Sequence, residues 1–413
     1  MNILFVCYGG GHVTMVLPVI RALRKQVPSA VITLIALTTA YPMAVAAGEN
    51  PLGFMDLKHL ADPAFADQWG ARLSDGNRHP AVSEAETVAY IGVNFWDLVE
   101  QYGQDQAQAL YRERGRHGFY PIHFFRRVIA HLRPDVVVAT NSPRSEHAAL
   151  EAAMDLGVAT LSMVDLFAMN FDPYLKRQRQ ADCITVMRPQ VQDNLIAAGI
   201  EPSRVVVTGN PAFDGLFDPV QRQAAREIRS ALGWGKLKVV LWAGIIEHER
   251  SEKEDTQPGT AFGEKAERVL RAWCASREDV ALFLRYHPND AQRFAMMDPQ
   301  PRVYVSQPLQ DPLHPQILAS DVVVVTGSTV GVETATASIP VLSLESSPSS
   351  ILMSYAQLGI SQGVARLSDL PESLDRVLFG PRSPSPVVQP GPAAPRIARE
   401  IERLAQRGCP WPM

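Results

Sequence analysis

The chain has 413 residues, of which 46% are hydrophobic and 20% charged, and a formal net charge of −4. That length exceeds one core of ordinary size and favours two α/β domains, while the near-neutral balance gives no reason to expect nucleic acid as a partner. Four scattered cysteines (Cys7, Cys183, Cys274, Cys409), with no Cys-x-x-Cys pair, argue against a disulfide frame or zinc site and predict reduced thiols in a cytoplasmic protein.

The first residues, MNILFVCYGGGH, lack a basic leader and reach a glycine turn within eight positions, which reads as a first strand rather than a signal peptide. No apolar run attains the ~18–20 residues of a membrane helix, so contact at the inner face of a membrane is expected to be peripheral at most. Ile3–Cys7 is predicted as that strand, Gly9-Gly10-Gly11-His12 as the turn after it, and Val13–Lys25 as a helix with Val16, Leu17, Ile20 and Leu23 at helical spacing. Val31–Leu37 is the second strand. The glycine run lacks the third glycine of a dinucleotide fingerprint, and no acidic residue closes strand two, so its glycines are read as letting a ligand approach the first helix.

From about Gly48 to His131 the periodicity weakens and aromatics are frequent, including Phe54, Trp69, Tyr90, Phe95, Trp96 and Tyr102. This stretch is expected to be helices and loops inserted over the first sheet, serving as core or as a cover for an acceptor. The basic run Arg112, Arg114, Arg116 and His117 could meet an anionic acceptor or be a solvated helix face. Regular alternation returns with strands at Val136–Ala139 and Ala159–Val164, the latter ending in Asp165, and with short strands at Ala181–Met187 and Arg204–Thr208. Thr208-Gly209-Asn210-Pro211 breaks the pattern and is read as a hinge.

The second half opens with a β run, Lys238–Trp242, closed by Ala243-Gly244. Glu247–Gln257 is crowded with charge and is expected to be a mobile loop. A helix over Phe262–Ser276 precedes a strand over Ala281–Leu284 that ends in Arg285-Tyr286-His287-Pro288-Asn289. Val303–Ser306, Val322–Val325 and Val341–Leu344 complete a second parallel sheet; the valine run has the composition of a strand buried on both faces. After it, Gly327-Ser328-Thr329 opens a short helix, where unpaired N–H groups and the macrodipole favour an anion. Glu333 lies one turn in, where a carboxylate could accept from the two hydroxyls of a ribose. A proline-rich linker near Pro381–Pro395 leads to a last amphipathic helix, Ile397–Gln406.

The predicted fold class is therefore α/β, with two Rossmann-like parallel-sheet domains facing across a cleft. Domain one spans 1–211 with a helical insertion at about 48–131, and domain two 212–382. The linker is 383–395, and the helix in 396–413 is expected to pack back on domain one. Ligands in such sheets bind beyond the carboxyl ends of the strands, where Gly9–His12, Asn141-Ser142, Asp165, Gly244, Arg285–His287 and Gly327–Thr329 all fall.

Four of these motifs resemble those of the two-domain glycosyltransferase superfamily of GT-B fold. The likeness is to the undecaprenyl-pyrophosphoryl-muramoyl-pentapeptide N-acetylglucosaminyltransferase, lipid-A-disaccharide synthase and the non-phosphorylating UDP-N-acetylglucosamine 2-epimerases. Gly10-Gly11-His12 is similar to the glycine-rich loop of the muramoyl enzyme, and Thr208-Gly209-Asn210-Pro211 to the hinge shared with the epimerases. His287-Pro288-Asn289 is similar to a His-centred turn of the epimerases and of some capsule and teichoic-acid transferases. Gly327–Pro340, with Glu333 seven residues before the proline, resembles the nucleotide-diphosphate helix with its ribose-binding glutamate. The chain departs from the group in its Gly-Ser-Thr helix start, closer to enzymes of CMP- or CDP-linked donors. It also has Val332-Glu333 for a doubled glutamate, and Asp165-Leu166-Phe167 where the epimerases carry acidic and arginine residues.

The resemblance implies an inverting, metal-independent glycosyltransferase of the hexosyl type, moving a sugar from a nucleotide-sugar, expected to be UDP-linked, to a cell-envelope, glycan, lipid-linked or small-molecule acceptor. No cofactor is implied beyond the nucleotide-sugar, and a homodimer is left open. The alternative is an epimerase-like isomerase or a nucleotide-sugar hydrolase. His12, with Asp165 second, is the expected base. Gly10, Gly11, Asn210, Gly244, Arg285, His287, Gly327, Ser328, Thr329 and Glu333 are the expected substrate contacts, with Arg285, His287 and the Gly327–Thr329 helix start meeting the departing phosphate.

Overall fold

The computed structural model describes the chain except residues 75, 77–78, 166, 170–171, 251–255, 289, 309, 382–390, 408–410 and 412–413. It divides into two compact units, Met1–Ala212 with Pro392–Met413, and Phe213–Gly391. Asn289, Leu166, most of the proline-rich linker and Cys409 lie outside the described residues.

Unit 1 is built on six strands, β1 (Asn2–Tyr8), β2 (Val31–Leu37), β3 (Val136–Ala139), β4 (Ala159–Val164), β5 (Cys183–Val186) and β6 (Val205–Val207). They pair in parallel in the order β2-β1-β3-β4-β5-β6. Val136–Ala139 is buried at every position, as a β-branched run covered on both faces must be. The order reverses between β1 and β3, the switch point beyond which such sheets open a crevice. The first helix begins at Gly9, not Val13, so the glycine run is that helix's first turn rather than a turn ahead of it. Gly9 has φ +83°, a conformation glycine adopts at no steric cost.

Among the described residues the insertion forms five α-helices, including Pro63–Leu73, Glu84–Tyr102 and Ile122–Leu132. Its aromatics are core: Phe54, Tyr90, Phe119 and Phe124 are buried and contact one another edge-on or stacked, and buried Phe95 packs on Trp69 and Tyr111. Tyr102 alone of those named above is exposed. The last helix, Ala394–Ala405, places Ile397, Ala398, Ile401 and Leu404 in one cluster with Val16 and Ile20 of the first helix. Each buried Ile, Leu or Val side chain there contributes about 1.5–3 kcal/mol.

Unit 2 carries β7 (Lys238–Gly244), β8 (Glu247–Arg250), β9 (Thr256–Gly259), β10 (Val280–Tyr286), β11 (Val303–Val305), β12 (Val322–Val325), β13 (Val341–Leu344) and β14 (Gln362–Val364). Its parallel sheet runs β11-β10-β7-β12-β13-β14, the 3-2-1-4-5-6 order of a Rossmann sheet, with its switch point between β7 and β12. This is the two-domain α/β architecture of GT-B-like proteins.

Two expectations are corrected. Of the stretch Glu247–Gln257 read as a mobile loop, Glu247–Arg250 is instead β8, paired antiparallel with β9, and residues 251–255 lie outside those described. Charge counting treats every carboxylate as solvated, whereas Glu247 is fully buried and its Oε2 accepts from Ser349 N (2.8 Å) and Ser349 Oγ (2.5 Å). The strand of Arg285 is longer than predicted, reaching Tyr286, so Arg285 is a buried strand residue and not part of the turn that follows. Among the described residues no helix is long and apolar enough to cross a membrane.

Candidate functional site

In unit 1 the ends of β1, β3 and β4 bring together a residue the sequence reading missed. Glu146, in the first turn of the helix Ser145–Asp155, is fully buried. Its Oε1 accepts from Tyr8 N (2.6 Å) and lies 3.1 Å from His12 Nδ1; its Oε2 accepts from Thr140 Oγ1 (2.6 Å) and Ser142 N (2.7 Å). A carboxylate this enclosed is tolerable because donors meet both oxygens. The other face of the imidazole meets Asp165, with Nε2 3.7 Å from Oδ2. Burial on its own would lower the pKa of His12, but the hydrogen bond and charge of Glu146, with Asp165 behind them, outweigh it and leave the pKa raised. The result is an imidazole held in orientation by one acid and facing another, half-buried, carboxylate. Asp165 Oδ1 is buried without a hydrogen-bond partner. The only sequence signal for Glu146 is an acidic residue in a helix's first turn, which ordinarily reads as dipole complementation.

Arg177, also unread from the sequence, closes the back of this cluster. Its Nη2 donates to Asn141 O (2.5 Å) and Ser142 O (3.0 Å), and the guanidinium lies over the Tyr174 ring. Gly10 N donates to Thr39 Oγ1 (3.0 Å), and a Cβ at Gly10 would sit 2.9 Å from Met43 Sδ; Gly11 faces open space. Asn210 shapes its own turn, with Oδ1 accepting from Ala212 N (3.0 Å). Gly209 beside it, at φ +88°, lies against Ala393, and Arg396 Nε donates to Thr208 O (2.8 Å). The hinge motif is thus packed on the last helix.

In unit 2, Gly244, His287 and Gly327 gather at the ends of β7, β10 and β12. His287 N donates to Gly244 O (3.2 Å), and its half-exposed ring lies 3.6 Å from Asp290 Oδ2. Gly244 is glycine for a packing reason, since a Cβ would lie 2.6 Å from the Tyr286 ring. At Gly327 a Cβ would lie 2.9 Å from Ser349 Cβ. Ser328 Oγ caps Val330 N (3.3 Å), Thr329 is exposed, and Tyr355 Oη donates to Ser328 O (3.0 Å). Glu333 is buried, with Oε2 3.3 Å from Nε2 of His314. Arg285 is committed elsewhere: its guanidinium donates to Ser306 Oγ (2.8 Å), Asp311 O (2.8 Å) and Pro308 O (3.3 Å), bracing the segment after β11. Burial lowers its pKa. The placement brings Gly244, His287 and the Gly327–Glu333 segment to one sheet end, with Arg285 behind them as support.

Two Rossmann-like parallel sheets, with these residues gathered at the carboxyl ends of their strands, define a GT-B-like fold. The family model described as UDP-N-acetylglucosamine 2-epimerase matches residues 178–367. Among solved structures, a Listeria monocytogenes protein provisionally assigned as such an epimerase shares the fold with a TM-score of 0.60 at 17% identity, covering 100% of both chains. The UDP-GlcNAc 2-epimerase of Methanocaldococcus jannaschii gives 0.59 at 14% identity, over 98% of this chain and 100% of that one. That of Neisseria meningitidis, bound to UDP-GlcNAc, gives 0.55 at 14% identity, over 99% and 95%. No curated protein matches.

These findings correct the expected reaction. The matched family is an isomerase, so neither a glycosyltransferase nor a hexosyl transfer enzyme is the reading they support. The physical reason is plain. The motifs legible in the sequence were read as contacts for a nucleotide diphosphate and a ribose, groups that ask the same of a protein whether the sugar is passed on or epimerised.

Proposed function

We propose that the chain is an isomerase inverting C2 of a UDP-linked 2-acylamino sugar, with no cofactor beyond the nucleotide-sugar itself. The observation that carries this reading is the epimerase family match over residues 178–367, the segment that holds Gly244, His287 and Gly327–Glu333. The N. meningitidis relative is described as bound to UDP-GlcNAc, which supports the choice of nucleotide.

The C2 proton of such a sugar is not acidic by itself. Its loss becomes feasible when the diphosphate leaves C1: a base takes the proton, the C2–H pair becomes a C1=C2 bond, and the C1–O pair departs with the diphosphate. Re-addition of the diphosphate at C1, with a proton returned to the opposite face of C2, gives the epimer. The chemistry needs a base, an acid and a field for the diphosphate. Asp165 is assigned as base and His12, backed by Glu146, as acid; Gly327, Ser328, Thr329 and His287 are assigned to the diphosphate and Glu333 to the ribose.

Incubation with UDP-GlcNAc alone in D₂O tests this by NMR. Deuterium at C2 and a second set of anomeric signals are expected, and His12→Ala or Asp165→Ala should lower the rate by about 10²–10⁴. Unchanged substrate at high enzyme concentration overturns the proposal. Accumulation of free sugar and UDP, without C2 epimer, would replace it with a nucleotide-sugar hydrolase.

A further inference from the structure

Unit 1 holds a cavity of about 300 Å³ on the β2 side of the first glycine run. Its floor is Tyr8, Gly9 and Thr39, its roof is Tyr90 and Ile91 of the helix Glu84–Tyr102, and Val82 and Arg116 stand at its edge. This is the lower end of the range for small-molecule sites, too small for a whole nucleotide-sugar and suited to one part of it. The lining fits an amphipathic group. Val82, Ile91 and two aromatic rings supply apolar surface, while Tyr90 supplies a donor. Burial, with Tyr8 nearby, pushes the Tyr90 phenol up to about 12, so it keeps its proton at neutral pH. Among the described residues its hydroxyl makes no hydrogen bond. The carboxyl of Glu86, by contrast, is occupied by Phe54 N (2.9 Å) and Met55 N (2.8 Å).

The cavity adjoins the acid–base cluster. Tyr8 N and His12 Nδ1 lie 2.6 and 3.1 Å from the same oxygen, Glu146 Oε1. Gly9 and His12 are three residues apart in one helix, so they are neighbours on its surface at roughly 5–6 Å. A sugar with C2 at His12 and Asp165 therefore carries its C2 nitrogen substituent within reach of the cavity mouth. An acetyl methyl would leave most of that space empty, and unfilled apolar space forfeits contacts.

On the epimerase reading above, we propose that this cavity receives the acyl group on the C2 nitrogen, with Tyr90 Oη donating to the acyl carbonyl, and that the substrate class is a UDP-linked 2-acylamino sugar with an acyl chain longer than acetyl. Isothermal titration of UDP, UDP-GlcNAc and UDP-N-butanoylglucosamine provides the test, with Val82→Phe and Thr87→Phe as two independent fillings from partly buried positions. The butanoyl compound is expected to bind about tenfold more tightly than the acetyl one, as two further buried methylenes imply. Either filling should abolish that preference and leave UDP affinity unchanged. Equal affinities for the two sugars, with UDP binding intact, overturn the assignment, as does a preference that survives both fillings. If neither UDP nor UDP-GlcNAc binds, the nucleotide-sugar reading itself fails, an outcome separable from loss of acyl selectivity alone.

Discussion

At the scale of single residues, one carboxylate organises the candidate site of the first unit. Glu146 ties the end of β1, the turn after β3 and the ring of His12 to one side chain. Folding raises His12 above its ordinary 6.5, so its protonated form, and the stability it lends, are complete below that value and lost as pH rises through the raised one. With His12 as acid, the alkaline limb of kcat/KM should follow the same group. Glu146→Gln is expected to move that limb to lower pH and to cut kcat/KM about tenfold or more, while Glu146→Ala, leaving several buried donors unmet, should also destabilise the fold by about 3–5 kcal/mol. A limb that does not move in Glu146→Gln would separate His12 from the proton transfer. The neighbouring His147 does not confuse the profile, because burial and Arg177 push it down to about 3 and keep it neutral. The placement of His12 and Asp165 after strands was legible in the sequence. Glu146 was not, because nothing in a helix's first turn tells a dipole-complementing carboxylate from one turned inward.

At the scale of elements, the insertion resisted a periodicity reading because its main helix is buried nearly all round. Ala89 to Leu98 of Glu84–Tyr102 are buried at every position, so no polar stripe marks a solvent face. That helix crosses Pro63–Leu73 through glycines. A Cβ at Gly92 would lie 1.8 Å from Ala66 O, and one at Gly70 would lie 2.1 Å from Val88 O. Backbone cannot yield as a flexible side chain can. Gly92→Ala is therefore expected to cost about 3 kcal/mol or more, read as a lowered denaturant midpoint, even though alanine is the better helix former. A neutral effect would mean the crossing is looser than these contacts require. The β8–β9 pair makes the complementary point, since its acidic first residue is held inside by Ser349, more than ninety positions on. No local pattern signals such a partner.

At the scale of the whole molecule, the last helix belongs to the unit where the chain began. Its apolar face completes the cluster of the first helix, so deleting residues 392–413 should lower the unfolding temperature of unit 1 selectively, while unit 2 retains its transition in calorimetry. A single, equally shifted transition would contradict that division. What the sequence by itself determined was the alternation of strands and helices, the two sheets and the ends at which glycine, histidine and hydroxyl residues collect, because β-branched runs and glycine turns act over a few residues. Tertiary structure decided which charged groups are free and which are spent. Arg285, read as a phosphate ligand, is engaged by Ser306 and Asp311, and Glu146, unremarked, sits behind His12. Those outcomes depend on partners distant along the chain that only the closed sheets bring within hydrogen-bonding range. The reaction class lay beyond local reading for a related reason: a diphosphate and a ribose ask the same donors and acceptors of a protein whatever then happens to the sugar.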